Sequence, residues 1–133
     1  MLFRIHHVGI VVPSLEQAYR FWRDGLGLSI EKIAIIEDQG VKAALLNAGN
    51  SEIELLEPLG PDTPVGRFLA RFGGGLHHLC FETDDVAREL ERARSMGLPL
   101  IDTSPRHGLA GLICFLHPKA SCGVLVEYAQ TLR

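Results

Sequence analysis

The chain has 133 residues, 47% of them hydrophobic and 22% charged, with a formal net charge of -3. That balance suits one globular domain able to bury about two-thirds of the surface its unfolded form exposes. It excludes a disordered chain, and the lack of a basic surplus argues against a nucleic-acid binder.

The cysteines Cys80, Cys114 and Cys122 are odd in number, widely spaced and free of any C-x-x-C pattern, which points to a reducing compartment. Cys80 and Cys114 read as small strand residues. No apolar run approaches the ~20 residues of a membrane span, and a strand starts too early to leave room for a signal peptide, so a cytoplasmic location is expected.

The apolar, β-branched segment from Arg4 to Val12 predicts a strand that ends at Pro13. Ser14 to Gln17 forms a capping box, and Leu15, Ala18, Tyr19 and Trp22 share one helical face before Gly25 stops the helix. Leu28 to Ile36, Val41 to Asn47 and Ser51 to Glu57 read as three strands, separated by turns at Asp38-Gln39-Gly40 and Ala48-Gly49-Asn50. A linker with Pro58, Gly60, Pro61 and Pro64 leads into a short helix. Thr63 caps it, Phe68, Leu69 and Phe72 supply its apolar face, and Gly73-Gly74-Gly75 ends it. Leu76 to Thr83 then predicts a strand, Asp85 to Met96 a helix stopped by Gly97, and Leu100 to Thr103, Gly111 to Leu116 and Gly123 to Ala129 three more strands. The stretch Pro105-Arg106-His107-Gly108 reads as loop.

Read this way, the chain is a single domain over 1–133 that carries a β-α-β-β-β unit twice, over about 1–58 and about 75–133, with the linker and its helix at about 59–74. The copies are too few and too short for a solenoid and must pack on one another. Each opens on a strand with a double histidine and closes on a strand with a glutamate; from His7 to Glu54 is 47 residues and from His78 to Glu127 is 49.

Strand alternation selects the residues that share a face. Val8, Ile10 and Val12 form the side that meets the first helix, so His7 points the other way with Ile5, Gly9 and Val11. Leu79 and Phe81 leave His78 opposite with Leu76, Cys80 and Glu82; Ile53 and Leu55 flank Glu54, and Val126 and Tyr128 flank Glu127. His7, Glu54, His78 and Glu127 therefore all point away from the helices, and the small Gly9 and Cys80 leave room beside the histidines. Inward carboxylates cost several kcal/mol each unless paired or bound to a cation. Two imidazoles and two carboxylates neutralise a divalent ion and suit zinc, cobalt, nickel, manganese or iron better than calcium, with two octahedral positions open for chemistry. His6 and His77 read as neighbours rather than ligands.

The runs HHVGIVVPSLEQA, GNSEIELLEPLGPDTPVGRFL, GGGLHHLCFETDD and FLHPKASCGVLVEYAQ resemble the vicinal oxygen chelate (glyoxalase/bleomycin resistance/dioxygenase) superfamily and, within it, the methylmalonyl-CoA epimerases. The resemblance covers nearly the whole chain. It implies an α+β fold in which paired βαβββ modules form one curved eight-stranded mixed sheet around a metal site, with metal ligands at His7, Glu54, His78 and Glu127 and a homodimer as the usual assembly. It also implies one divalent ion per chain (cobalt, zinc, nickel or manganese), an acyl-CoA substrate, and interconversion of (2R)- and (2S)-methylmalonyl-CoA through an α-proton abstraction that yields a metal-chelated enolate.

The chain departs from part of that family. Some members carry a glutamate, proposed as a catalytic base, on the strand after a Q-G-V turn; here Gln39-Gly40-Val41 leads to Ala43 at the matching position, which leaves the acid/base residues unassigned. The position before His7, commonly aspartate in this superfamily, is His6. A glyoxalase I-like lyase acting on a glutathione hemithioacetal and a non-enzymatic binding protein of the same fold are the alternatives. An extradiol dioxygenase would leave a fourth ligand unexplained. Arg67, Arg71, Arg106 and Lys119 are candidate partners for coenzyme A phosphates, and His117 is undecided between loop residue and ligand contact.

Overall fold

The protein is described by a computed structural model covering residues 1–131. β1 (Leu2–Val11) is followed by α1 (Leu15–Tyr19), β2 (Ile30–Ile36), β3 (Val41–Asn47) and β4 (Glu52–Pro58). After α2 (Pro64–Phe72) come β5 (Gly75–Thr83), α3 (Val86–Ser95), β6 (Arg106–Gly108), β7 (Gly111–Leu116) and β8 (Val126–Gln130). The strands form one eight-stranded sheet in the order β2-β3-β4-β1-β5-β8-β7-β6. It is mixed, antiparallel within β2/β3/β4 and β6/β7/β8 and parallel at β5/β8. The chain forms two compact units, one of Val8–His77 and one of Met1–His7 with the chain from His78 onward, so β1 contributes to both. No helix among the described residues is long and apolar enough to cross a membrane.

In the Val8–His77 unit, Ser14 Oγ accepts from the Gln17 N–H at 3.3 Å, and Glu57 Oε1 accepts from the Leu15 N–H at 2.8 Å, so two of the orphan donors at the start of α1 are satisfied by side chains. Its inward residues Leu15 and Tyr19 pack with Ile10, Val12, Ala44, Leu46 and Leu55, and Val8, Ala18, Trp22 and Ile53 border this cluster. That is the predicted helix-facing set of β1. Gly25 is the last helical residue, as expected, but the final stretch is not α-helical. It widens into a π turn over Arg20–Gly25, where the Leu26 N–H bonds the Phe21 carbonyl at 2.8 Å, and the left-handed residue is Gly27 at φ 79°.

The second helix of this unit is capped as expected. Thr63 Oγ1 accepts from the Gly66 N–H at 2.9 Å and donates to the Gly60 carbonyl at 2.8 Å, with Pro64 at the first helical position. Its buried residues are Val65 and Gly66; Phe68 and Leu69 are only half-buried and Phe72 is 59% exposed, a correction to the predicted apolar face. The reason lies at Gly66, where a Cβ would stand 2.2 Å from the Gly60 carbonyl oxygen. The proline-rich loop packs against the helix at Gly66, so the buried side is that of Val65 and Gly66.

In the other unit Asp85 Oδ1 accepts from the Arg88 N–H at 3.0 Å and starts α3, whose Val86 and Leu90 pack on Cys114, with Leu100 and Tyr128 alongside. A separate cluster, Cys80, Ile113, Phe115 and Ala129, lies on the other face of the same strands. The strand predicted at Leu100 to Thr103 is absent: Leu100 makes one bridge to Leu116, and Asp102 accepts from the Phe115 N–H at 2.7 Å with its side chain. The pairing falls instead on Arg106–Gly108, within the predicted loop, which forms a hairpin with β7 through a turn closed by Gly108 and Gly111. β8 starts at Val126 rather than Gly123 because Cys122 and Gly123, at φ 62° and 106°, close a 3-10 turn over Pro118–Ser121.

Candidate metal centre

Within the unit containing β5, α3 and β8, parity follows from pairing. Tyr128 packs toward α3, and parallel β5/β8 register sets Phe81 beside Tyr128 and Cys80 beside Glu127. Glu127 and His78 therefore point to the face of Cys80, Ile113 and Phe115. His7, at the end of this unit's share of β1, joins them.

Three predicted ligands meet there. His7 Nε2 is 3.1 Å from His78 Nε2 and 3.0 Å from Glu127 Oε1, and His78 Nε2 is 3.1 Å from Glu127 Oε1. All three side chains are buried. Burial alone would raise the Glu127 pKa, but the hydrogen bonds and charge of His7 and His78 outweigh it and hold the carboxyl well below the usual carboxylate range. Phe115 stacks edge-on to the His78 ring at 5.7 Å and closes the apolar side.

This set fits a divalent ion. If both Nε2 atoms are unprotonated, three acceptors crowd together and only a cation relieves their repulsion. Two imidazole nitrogens and a carboxylate oxygen are donors that zinc and other first-row divalent ions accept.

Glu54 belongs to the other unit. It is 6% exposed, lies opposite Leu45 across β3/β4, and points away from the cluster that contains Ile53 and Leu55, as parity predicts. Ala43 is two residues from Leu45 on that same face of β3 and is fully buried. No proton acceptor stands at that position.

His6 is the functional candidate that alternation by itself missed. It is 4% exposed, and its Nδ1 lies 2.8 Å from His7 Nδ1, with the rings edge to face. Burial, then the charges of His7 and Arg4, pull its pKa down to about 4. The doubled histidine was the available signal. His77, half-buried, packs edge-on to Phe68 at 4.9 Å.

The cationic candidates make local contacts. Arg67 donates to the Asp62 carbonyl at 2.6 Å, Arg71 lies over Phe72, and Lys119 is exposed. Arg106 pairs with Asp102 at 3.1 Å and covers the Phe115 ring at 5.5 Å. His117 Nδ1 accepts from the Lys119 N–H at 3.0 Å and caps the 3-10 turn, which gives this undecided residue a structural role.

Comparison with known proteins adds to this geometry. Residues 6–115 match the Glyoxalase/Bleomycin resistance protein/Dioxygenase superfamily. The chain is 37% identical over 131 residues to the mitochondrial methylmalonyl-CoA epimerase of Mus musculus, covering 97% of this chain and 74% of that protein. It is also 37% identical over 133 residues to the ethylmalonyl-CoA/methylmalonyl-CoA epimerase of Cereibacter sphaeroides, covering 98% and 99%. Among solved structures, a methylmalonyl-CoA epimerase in complex with methylmalonyl-CoA and NH4+ superimposes with a TM-score of 0.93 at 37% identity, over 98% of this chain and 96% of that one.

Proposed function

Since the chain belongs to the glyoxalase/bleomycin resistance protein/dioxygenase superfamily and, within it, to the methylmalonyl-CoA epimerase family, we propose that it interconverts (2R)- and (2S)-methylmalonyl-CoA. The reaction removes and returns the proton on the carbon between thioester and carboxylate. The observation that carries this reading is the buried triangle of His7, His78 and Glu127 in a chain whose near-full-length relatives are epimerases. The glutathione-lyase and binding-protein alternatives have no comparable support.

We assign His7, His78 and Glu127 as ligands of one divalent ion, cobalt, zinc, nickel or manganese, and Glu54 as the fourth ligand. Support for Glu54 comes from its burial, its position in the first copy of the repeat matching that of Glu127 in the second, and its orientation away from the α1 cluster. When bound, the ion supplies positive charge where the substrate's thioester and carboxylate oxygens become negative.

The protein's own residues do the rest. Glu127, kept ionised by two imidazoles, offers a lone pair at neutral pH, and the apolar wall of Ile113 and Phe115 keeps water from one side. Ala43 can neither take nor give a proton, so the acid and base lie elsewhere. Arg106, beside Phe115, is a candidate to meet an anionic part of an acyl-CoA, with Arg67, Arg71 and Lys119 as further candidates for its phosphates. A homodimeric, cytoplasmic, single-domain enzyme completes the reading.

The test is incubation of metal-loaded protein with methylmalonyl-CoA in deuterium oxide. The α-proton should exchange, and its full retention with every one of the four metals would overturn the proposal.

A further inference from the structure

Both nitrogens of the His7 ring are engaged. Nε2 faces His78 and Glu127, and Nδ1 lies 2.8 Å from His6 Nδ1, inside the protein on both sides. A neutral imidazole has one proton for two nitrogens, so the protonation of one end dictates that of the other. With no cation, the 3.0 Å contact to Glu127 calls for a proton on His7 Nε2; Nδ1 is then an acceptor and His6 Nδ1 must carry the proton between them. With a cation, His7 Nε2 must offer its lone pair. The proton then sits on His7 Nδ1, and His6 Nδ1 must accept.

A carboxylate before His7 could serve only the second state, because it accepts and does not donate. Histidine serves both. We propose that His6 is the positioning residue for the His7 ligand, a partner whose change of tautomer lets His7 pass between its metal-free and metal-bound forms without breaking their hydrogen bond. The exchange balances: the proton shared between the two Nδ1 atoms changes owner, His7 gives up its Nε2 proton, and His6 gains one on its own Nε2. This inference rests on the metal assignment made above. A competing use of the same residues also lies within reach, since His6, His7 and Cys80 offer ligand atoms within 4.8 Å of one another and could hold an ion themselves.

Long-range 15N–1H correlation spectra of the histidine rings, recorded on the full chain with and without zinc, separate these cases. The expected result is His7 moving to the Nδ1–H form and His6 to the Nε2–H form on zinc binding. Zinc bound with His6 in one unchanged tautomer would overturn the role of His6 and leave the metal assignment standing. No zinc binding at all would overturn both. Cobalt titration adds a check: an intense thiolate charge-transfer band would show Cys80 as a ligand and overturn the proposal in favour of the competing site. As a second arm, His6→Phe should weaken zinc binding about ten- to a hundred-fold, the usual effect of losing an outer partner, and His6→Asp should recover most of it by keeping an acceptor. Equal loss in both variants would sink the idea.

Discussion

Glu127 is shared between His7 and His78, at 3.0 and 3.1 Å from the same oxygen, although its neighbours on β8 are apolar or aromatic. One carboxylate thus orients two imidazoles from two other strands. Changing Glu127 to Gln should remove that charge with little change in volume. Zinc affinity, measured by competition with a chromophoric chelator, should fall by more than the ten- to hundred-fold typical of an outer partner. Glu54→Gln should show a comparable fall; an unchanged affinity would reduce the ligand set to three.

Metal binding should appear as stability. An ion that binds only the folded chain, at a free concentration about 100 times its Kd, adds about 2.7 kcal/mol. For a protein of this size that raises the melting temperature by about 10 °C. Calorimetry before and after chelator treatment checks it, and coincident melts would count against a resident ion.

Metal-free protein should be acid-labile. His6 is depressed from 6.5 to about 4, chiefly by burial, so between these values the unfolded chain holds a proton that the folded chain does not. Stability is then complete above about pH 6.5 and falls as pH drops toward 4, by on the order of 3 kcal/mol from this group alone. Glu82 has the same sign at lower pH. Burial would raise it, but hydrogen bonds from Thr131 and Arg4 prevail and lower its pKa below 4.5, so its contribution is lost as pH falls below that range. Urea unfolding at pH 7.5, 6 and 5 checks the window. In His6→Phe the slope between pH 6.5 and 5 should flatten.

The capped turn before α2 should be sensitive to very small changes. Thr63→Ala loses both of its hydrogen bonds and should cost about 1 kcal/mol or somewhat more. Gly66→Ala drives a methyl group against the Gly60 carbonyl and should cost more, about 2–3 kcal/mol. Thermal melts of the two variants should preserve this order.

Periodicity carried the fold far. The alternation of Val8, Ile10 and Val12 against His7 sufficed to give the histidine's face, and the same rule turned Glu54 away from Ile53 and Leu55 and Glu127 away from Tyr128. The failures have local causes. Asp102 substitutes a carboxylate for a backbone partner, so the apolar run beginning at Leu100 leaves the ladder, while the polar Arg106-His107-Gly108 joins it because a two-residue turn brings it back along β7. The helix ends at Gly25 as expected, but it does so through one wider turn, and the left-handed residue is Gly27. Alternation also assumes that adjacent side chains do not meet, and the Nδ1 contact between His6 and His7 breaks that assumption at the residue that matters most to the site.

β1 passes from one compact unit to the other between His7 and Val8, whereas the sequence repeat changes copy in the stretch 59–74. Inheritance and packing therefore cut the chain at different places. A fragment holding only the second copy would lack the seven residues Met1–His7 of its own unit, and with them a strand segment and His7, a proposed ligand. We expect fragments 1–74 and 75–133 to remain unfolded apart and to recover structure when refolded together, which circular dichroism can follow.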